Sequence, residues 1–189
     1  VAGRRLDGRP PEQLRRAGLA RSFQVSQVFG RLSVRDNLRC AVLASRGLQG
    51  VFWKRLSQSR EVGRRADELM ELLGLHARGH DLAGSLGYAE QRALELGITV
   101  AGDPDVLLLD EPTAGRSQHE TEGLVALIRE LSEGRSLLLV EHDMQVVFSL
   151  ADRIAVLVEG ALIAFDTPAR VRANPRVQAA YGHEALASA

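Results

Sequence analysis

Cysteine is nearly absent: Cys40 is the only one in 189 residues, so no disulfide can form within the chain, and the composition suits a reducing compartment. Lysine is as scarce, with Lys54 alone, and aromatic residues make up 4%. No long apolar run exists either. The chain's apolar runs, such as Val106–Leu109 and Leu137–Val140, are far shorter than the roughly 20 apolar residues that cross a bilayer. The opening Val1-Ala2-Gly3-Arg4-Arg5 lacks the apolar stretch of a secretory signal. Within these 189 residues a disulfide scaffold has no basis and no stretch reads as a membrane span or a signal segment, and the expected location is the cytosol.

What is present fits one globular domain, or one domain with a small insert: 45% of residues are hydrophobic and 25% charged. Disordered, collagen-like and coiled-coil chains have other compositions. Lys and Arg number 24, as do Asp and Glu, for a formal net charge of zero. The neutrality hides an asymmetry. Residues 1–65 hold 15 basic and 4 acidic side chains, leaving 9 basic and 20 acidic ones for residues 66–189. Such a division marks either a face for an anionic partner or simply solvated helix faces.

Periodicity predicts the elements. Pro11 through Ala17 reads as a short helix with proline at its start and Gly18 past its end. Leu19–Phe23 is a brief strand. Ser33 and Asp36 form a capping arrangement for a helix reaching about Ser45. Gly47 to Ser57 is a loop carrying Phe52 and Trp53. Val62, Ala66, Leu69 and Leu73 lie on one helical stripe ended by Gly74, and another helix runs from Ala89 to about Ala101. Val106–Leu109, Leu137–Val140 and Ile154–Val158 are buried strands, separated by helices on Leu124–Leu131 and Met144–Leu150. Glu159-Gly160 turns the third strand into Ala161–Phe165 as a hairpin. Thr167-Pro168 opens a last helical region. Alternating strands and helices imply a parallel α/β sheet in which all three strands take part. The boundaries expected are 1–29, a helical insert at 30–101, an α/β core at 102–167 and a tail at 168–189.

Open α/β sheets bind ligands at the carboxyl ends of their strands. Gln24, Asp110-Glu111 and Glu141-His142-Asp143 all stand there, and converge if the strands are neighbours. An aspartate ending a buried strand can hold Mg²⁺, and the adjacent glutamate can orient or deprotonate a water. An isolated Asp-Glu pair would read as helix-capping carboxylates, but His142 one strand later favours the functional reading of Asp110 and Glu111.

These segments carry a resemblance. Leu107–Pro112 resembles the Walker B segment of ABC-transporter ATPases, Val140–Asp143 their switch-histidine segment, and Ala20–Gln24 their Q-loop. Leu82–Leu86 leading to Glu90-Gln91-Arg92 resembles the approach to their signature motif. Glu111–Gly115, Glu141–Met144 and Asn174–Gln178 are similar to the ATPase subunits of branched-chain amino acid importers and their urea or amide relatives. The resemblance implies a P-loop NTPase-like α/β fold with an inserted helical subdomain, and ATP and Mg²⁺ as ligands. It implies that Asp110 holds Mg²⁺, Glu111 is the catalytic carboxylate, His142 reaches the γ-phosphate, and Gln24 touches Mg²⁺ or the attacking water. Leu86, Gly87, Ala89, Glu90 and Gln91 would be the signature facing a nucleotide held by a second ATPase subunit, identical or paralogous. Transmembrane permease subunits would receive the helical block around Phe52 and Trp53, which places the chain on the inner face of the cell membrane.

Two departures stand against that pattern. The phosphate-binding loop Gly-x-x-x-x-Gly-Lys followed by Ser or Thr is nowhere in the 189 residues, because Lys54 follows Phe52-Trp53 with no glycine-rich loop before it. Val1–Gly8 resembles the stretch that follows the loop, so the expectation is an N-terminally incomplete domain, with an entire atypical protein as the alternative. The signature is also altered: Leu86-Gly87-Tyr88-Ala89-Glu90-Gln91 has Gly87 in place of a serine and Ala89 in place of a glycine. Arg116 stands where the family has an apolar residue. The activity expected is thus ATP hydrolysis coupled to transport, or else docking without turnover. His76 and His80 are spaced four apart with no acidic partner evident, which is a poor zinc motif. Cys40 is expected in the core. The arginines at 4, 5, 9, 15, 16 and 21 accompany no nucleic-acid-binding module, and no nucleic-acid partner is expected.

Overall fold

The computed structural model describes residues 1, 3, 5–22, 28–46, 60–115 and 118–182. Gln24, Phe52, Trp53, Lys54 and Arg116, singled out above, lie outside the described residues. The chain divides into two compact units, residues 1–110 with 126–138, and residues 111–125 with 139–189.

The first unit starts with α1 (Pro11–Arg16), which has proline in its first turn. Gly18, at φ +84°, lets the chain swing directly into β1 (Leu19–Arg21). β1 pairs in parallel with β2 (Val106–Asp110), Leu19 opposite Val106 and Arg21 opposite Leu108. Gly18 C=O and Ser22 N–H extend this ladder at 2.9 Å each. The sheet order is β1-β2-β3, with β3 (Ser136–Val140) passing from the first unit into the second.

Three further helices pack together, and the last of them meets β1. α2 (Val34–Ser45) begins where the Ser33 hydroxyl accepts the Asp36 N–H at 3.0 Å. Buried Asn37 fastens the preceding chain to it, accepting the Phe29 N–H at 2.8 Å and donating to the Phe29 C=O at 3.1 Å. α3 (Arg60–Leu72) buries Val62, Ala66, Leu69 and Met70, and Leu73 is buried just past its end. α4 (Tyr88–Val100) packs across α2, and at Gly97 the absent Cβ leaves room for Leu73 and Leu38.

The second unit continues from the end of β3. Helix α5 (Gln118–Leu131) lies between β2 and β3 in the chain, and α6 (Met144–Leu150) is capped by Asp143, whose carboxylate accepts the Gln145 N–H at 2.9 Å. β4 (Ile154–Val158) and β5 (Ala161–Asp166) form an antiparallel hairpin. Glu159 and Gly160 make its turn with φ of +48° and +79°, the conformation a two-residue hairpin turn needs. Ile154 and Val156 of the hairpin meet Val171 and Val177 in a small core.

One expectation needs correction here. Ile154–Val158 does not join the parallel sheet: among the described residues it lies in a separate two-stranded sheet with β5, because the tight turn at Glu159-Gly160 returns the chain to its own edge. The last helical region is two helices, α7 (Pro168–Arg172) and α8 (Pro175–Tyr181). Pro175 cannot continue a helix from its neighbour, and Asn174 caps the new one by accepting the Arg176 N–H at 2.9 Å. The described residues include no helix long and apolar enough to cross a membrane.

Candidate functional site

β2 delivers its last residue, Asp110, to the surface of the first unit. The buried residues Leu107 and Leu109 hold the strand, and the Asp110 carboxylate is 31% exposed with the Arg21 guanidinium 3.3 Å away. The next residue, Glu111, opens a turn in the second unit and adopts φ +43°. A side chain in this left-handed region costs about 1–2 kcal/mol, so its surroundings must hold it there. They do. Glu111 N–H donates to Val140 C=O at 2.8 Å, and Ala114 N–H to Glu111 C=O at 3.3 Å.

Within that second unit, His142 Nδ1 stands 3.7 Å from Glu111 Oε1 and 3.7 Å from Glu141 Oε2. The imidazole is 71% exposed and Glu111 38%, whereas the Glu141 side chain is fully buried. Glu141 Oε1 accepts the Thr113 N–H at 2.9 Å and the Thr113 hydroxyl as well, and Glu141 Oε2 accepts the His142 N–H at 3.1 Å. Glu111 and His142 are therefore two accessible groups, an acceptor and a ring that can donate, beside a buried carboxylate that ties their loops. Such a pair can orient a water and a phosphate oxygen. The role of Thr113 escaped the sequence reading. Its only sequence signal is a hydroxyl two residues beyond the glutamate.

The altered signature lies in the first unit, at the start of α4. Leu86 is buried, and Gly87, Tyr88 and Ala89 are exposed. Glu90 reaches back to accept the Gly87 N–H at 2.9 Å, and Gln91 donates to the Leu86 and Ala83 carbonyls at 3.2 and 3.3 Å. Arg78 is 3.0 Å from Glu90. A hydrogen bond to Asp81, then the charge of Glu90, hold that guanidinium above its ordinary value. The Glu90 carboxylate already complements the positive end of the helix. The histidines 76 and 80 give no metal set, but an acidic partner does exist: Glu71 Oε1 is 2.8 Å from His76 Nδ1. The sequence reading missed it because the five-residue spacing spans a helix end.

Magnesium meets a limited but suitable donor in Asp110. The described residues contain no group of three His, Cys, Asp or Glu able to hold a metal. Mg²⁺ commonly takes one or two carboxylates and completes its shell with phosphates and water, and Asp110 offers a partly exposed hard oxygen of that kind.

Known proteins match this chain over most of its length. A family model described as ABC transporter matches residues 2–114, and one described as branched-chain amino acid ATP-binding cassette transporter matches residues 161–181. LivG of Salmonella typhimurium strain LT2, a high-affinity branched-chain amino acid transport ATP-binding protein, is 38% identical over 190 residues, which cover 96% of this chain and 74% of LivG. BraF of Pseudomonas aeruginosa, of the same description, is 36% identical over 192 residues, with 97% and 74% covered. A solved structure of MJ1267, an ATP-binding cassette of an ABC transporter, superimposes with a TM-score of 0.78 at 23% identity, covering 93% of this chain and 73% of its own.

Proposed function

Because the chain belongs to the ABC-transporter ATP-binding family, we propose that it is the ATP-binding subunit of an importer whose cargo is branched-chain amino acids. Urea or amide transport is the neighbouring alternative. The observation that carries the hydrolytic part of this reading is the approach of Glu111 and His142 to 3.7 Å on two loops held by one buried carboxylate.

In this reading Glu111 accepts a proton or hydrogen bond from the attacking water, and His142 donates toward the terminal phosphate of ATP. Asp110 binds the Mg²⁺ that accompanies the nucleotide, and Gln24 serves the same ion or the water. When bound, the metal neutralises phosphate charge. The subunit pairs with a second ATPase subunit through Leu86, Gly87, Ala89, Glu90 and Gln91. It docks on transmembrane permease subunits at the inner face of the membrane, using the helical region 30–101.

A second reading, docking without turnover, is favoured by specific residues. Gly87 offers no hydroxyl and Ala89 adds a methyl.

Magnesium-dependent ATP binding and hydrolysis by this chain decides between them. Turnover that Glu111→Gln abolishes while nucleotide still binds supports the hydrolytic reading. Absence of ATP binding, with intact capture of permease subunits, overturns it in favour of docking.

A further inference from the structure

The turn that carries Glu111 is held from the far side of the site by a residue with no part in the proposed chemistry. Glu141 is fully buried, yet each of its carboxylate oxygens is bonded. Oε1 accepts the backbone N–H and the hydroxyl of Thr113, and Oε2 accepts the backbone N–H of His142. The first pair belongs to the turn after β2 and the last to the loop after β3. A single carboxylate therefore fastens the two loops whose side chains, Glu111 and His142, stand 3.7 Å apart.

The backbone explains why a fastening is required. Glu111 sits at φ +43°, and nothing in its side chain favours that conformation. The Glu111 N–H bond to Val140 C=O pins one end of the turn. Thr113, two residues on, is pinned only if Glu141 receives it. An ionised carboxylate is suited to the task because it is acceptor-only at both oxygens. A glutamine has one such oxygen, so it can serve Thr113 or His142 but not both. An aspartate is one methylene short.

We infer that Glu141 is a positioning residue, and that Thr113 is its necessary partner: together they form a strap that sets the Glu111 carboxylate against the His142 imidazole. The functional meaning of the strap rests on the hydrolytic reading above, but its existence does not.

The full chain tests this by amide hydrogen exchange followed by NMR. In Glu141→Gln the amide of Thr113, of His142, or of both, exchanges at least tenfold faster, while the amides of Val156 and Leu157 in β4 keep their rates. Thr113→Val accelerates exchange at His142, which it does not touch, and Thr113→Ser, which retains the hydroxyl, restores it. In ATP turnover Thr113→Val lowers kcat at least tenfold with KM within twofold. Unchanged exchange at both amides in folded Glu141→Gln overturns the inference. So does equal acceleration throughout β4, or Thr113→Ser behaving as Thr113→Val. Should Glu141→Gln fail to fold, the Thr113 pair decides alone, since it removes a single bond of the strap. A chain with the strap intact by exchange but no ATP turnover sinks the hydrolytic reading and leaves the strap standing. Full turnover in Thr113→Val does the reverse.

Discussion

His142 Nδ1 lies 3.7 Å from Glu111 Oε1, with the imidazole 71% exposed. The ring is thus placed by its backbone and presented to solvent rather than packed. His142→Ala is expected to lower ATP turnover on the order of a hundredfold, the scale set by loss of one positioned donor to developing charge. Its melting temperature should stay within a degree or two of the parent. A turnover unchanged by the substitution would remove His142 from the site.

Arg92 and Glu95 form an ion pair one turn apart on α4, 2.6 Å between charges, with side chains only 8% and 11% exposed. Removing Arg92 leaves the buried Glu95 carboxylate without its cation. Arg92→Met is expected to cost about 3 kcal/mol in urea unfolding. The double variant Arg92→Met with Glu95→Leu should recover most of that loss, because neither charge then remains. Strictly additive losses would show that the pair does not act as a pair.

The hairpin turn makes a conformational test. Gly160 adopts φ +79° and a Cβ there would meet open space, so only backbone strain opposes a side chain. Gly160→Ala should cost about 1 kcal/mol, read as a lowered melting temperature. Glu159, at φ +48°, is better served by asparagine, which tolerates this region. Glu159→Asn should raise the melting temperature slightly, and a drop would contradict the turn assignment.

Cys40 provides a pH test. Burial first, and the negative charge of Asp36 second, push its thiol above the ordinary value of 9.0. The folded chain therefore keeps a proton that the unfolded chain releases. This contribution to stability is complete below pH 9.0 and is lost as pH rises through the elevated value. The pH profile of alkylation should have its midpoint higher in the folded chain than in urea, and Asp36→Asn should move the folded midpoint down. Coincident folded and unfolded midpoints would refute the shift.

Much of this was legible in the sequence because it depends on neighbours along the chain. The α3 stripe, the Ser33 cap, the apolar runs of β2 and β3 and the Glu159-Gly160 turn each follow from local periodicity or backbone preference. What failed depends on partners elsewhere. A strand's pattern does not say which edge it pairs with, so Ile154–Val158 was assigned to the parallel sheet although it folds back on β5. Asp110, Glu111 and His142 are marked as candidates by their position after apolar strands, although β3 is not the buried strand expected: Leu138 and Val140 are 60% and 55% exposed. The bond from Thr113 to Glu141 crosses 28 positions and leaves no trace in spacing, so the group that holds the candidates in register emerged only in three dimensions.

The chain on either side of the segment that contains Gln24 is bolted down. On one side Ser22 N–H is bonded to Leu108 C=O in the strand leading to Asp110. On the other, Phe29 is gripped at both its N–H and its C=O by the Asn37 side chain of α2. The two anchors that flank this segment are thus the end of β1 and the first turn of α2. Asn37→Leu would release the Phe29 N–H, while the Leu32 N–H still held the Phe29 C=O.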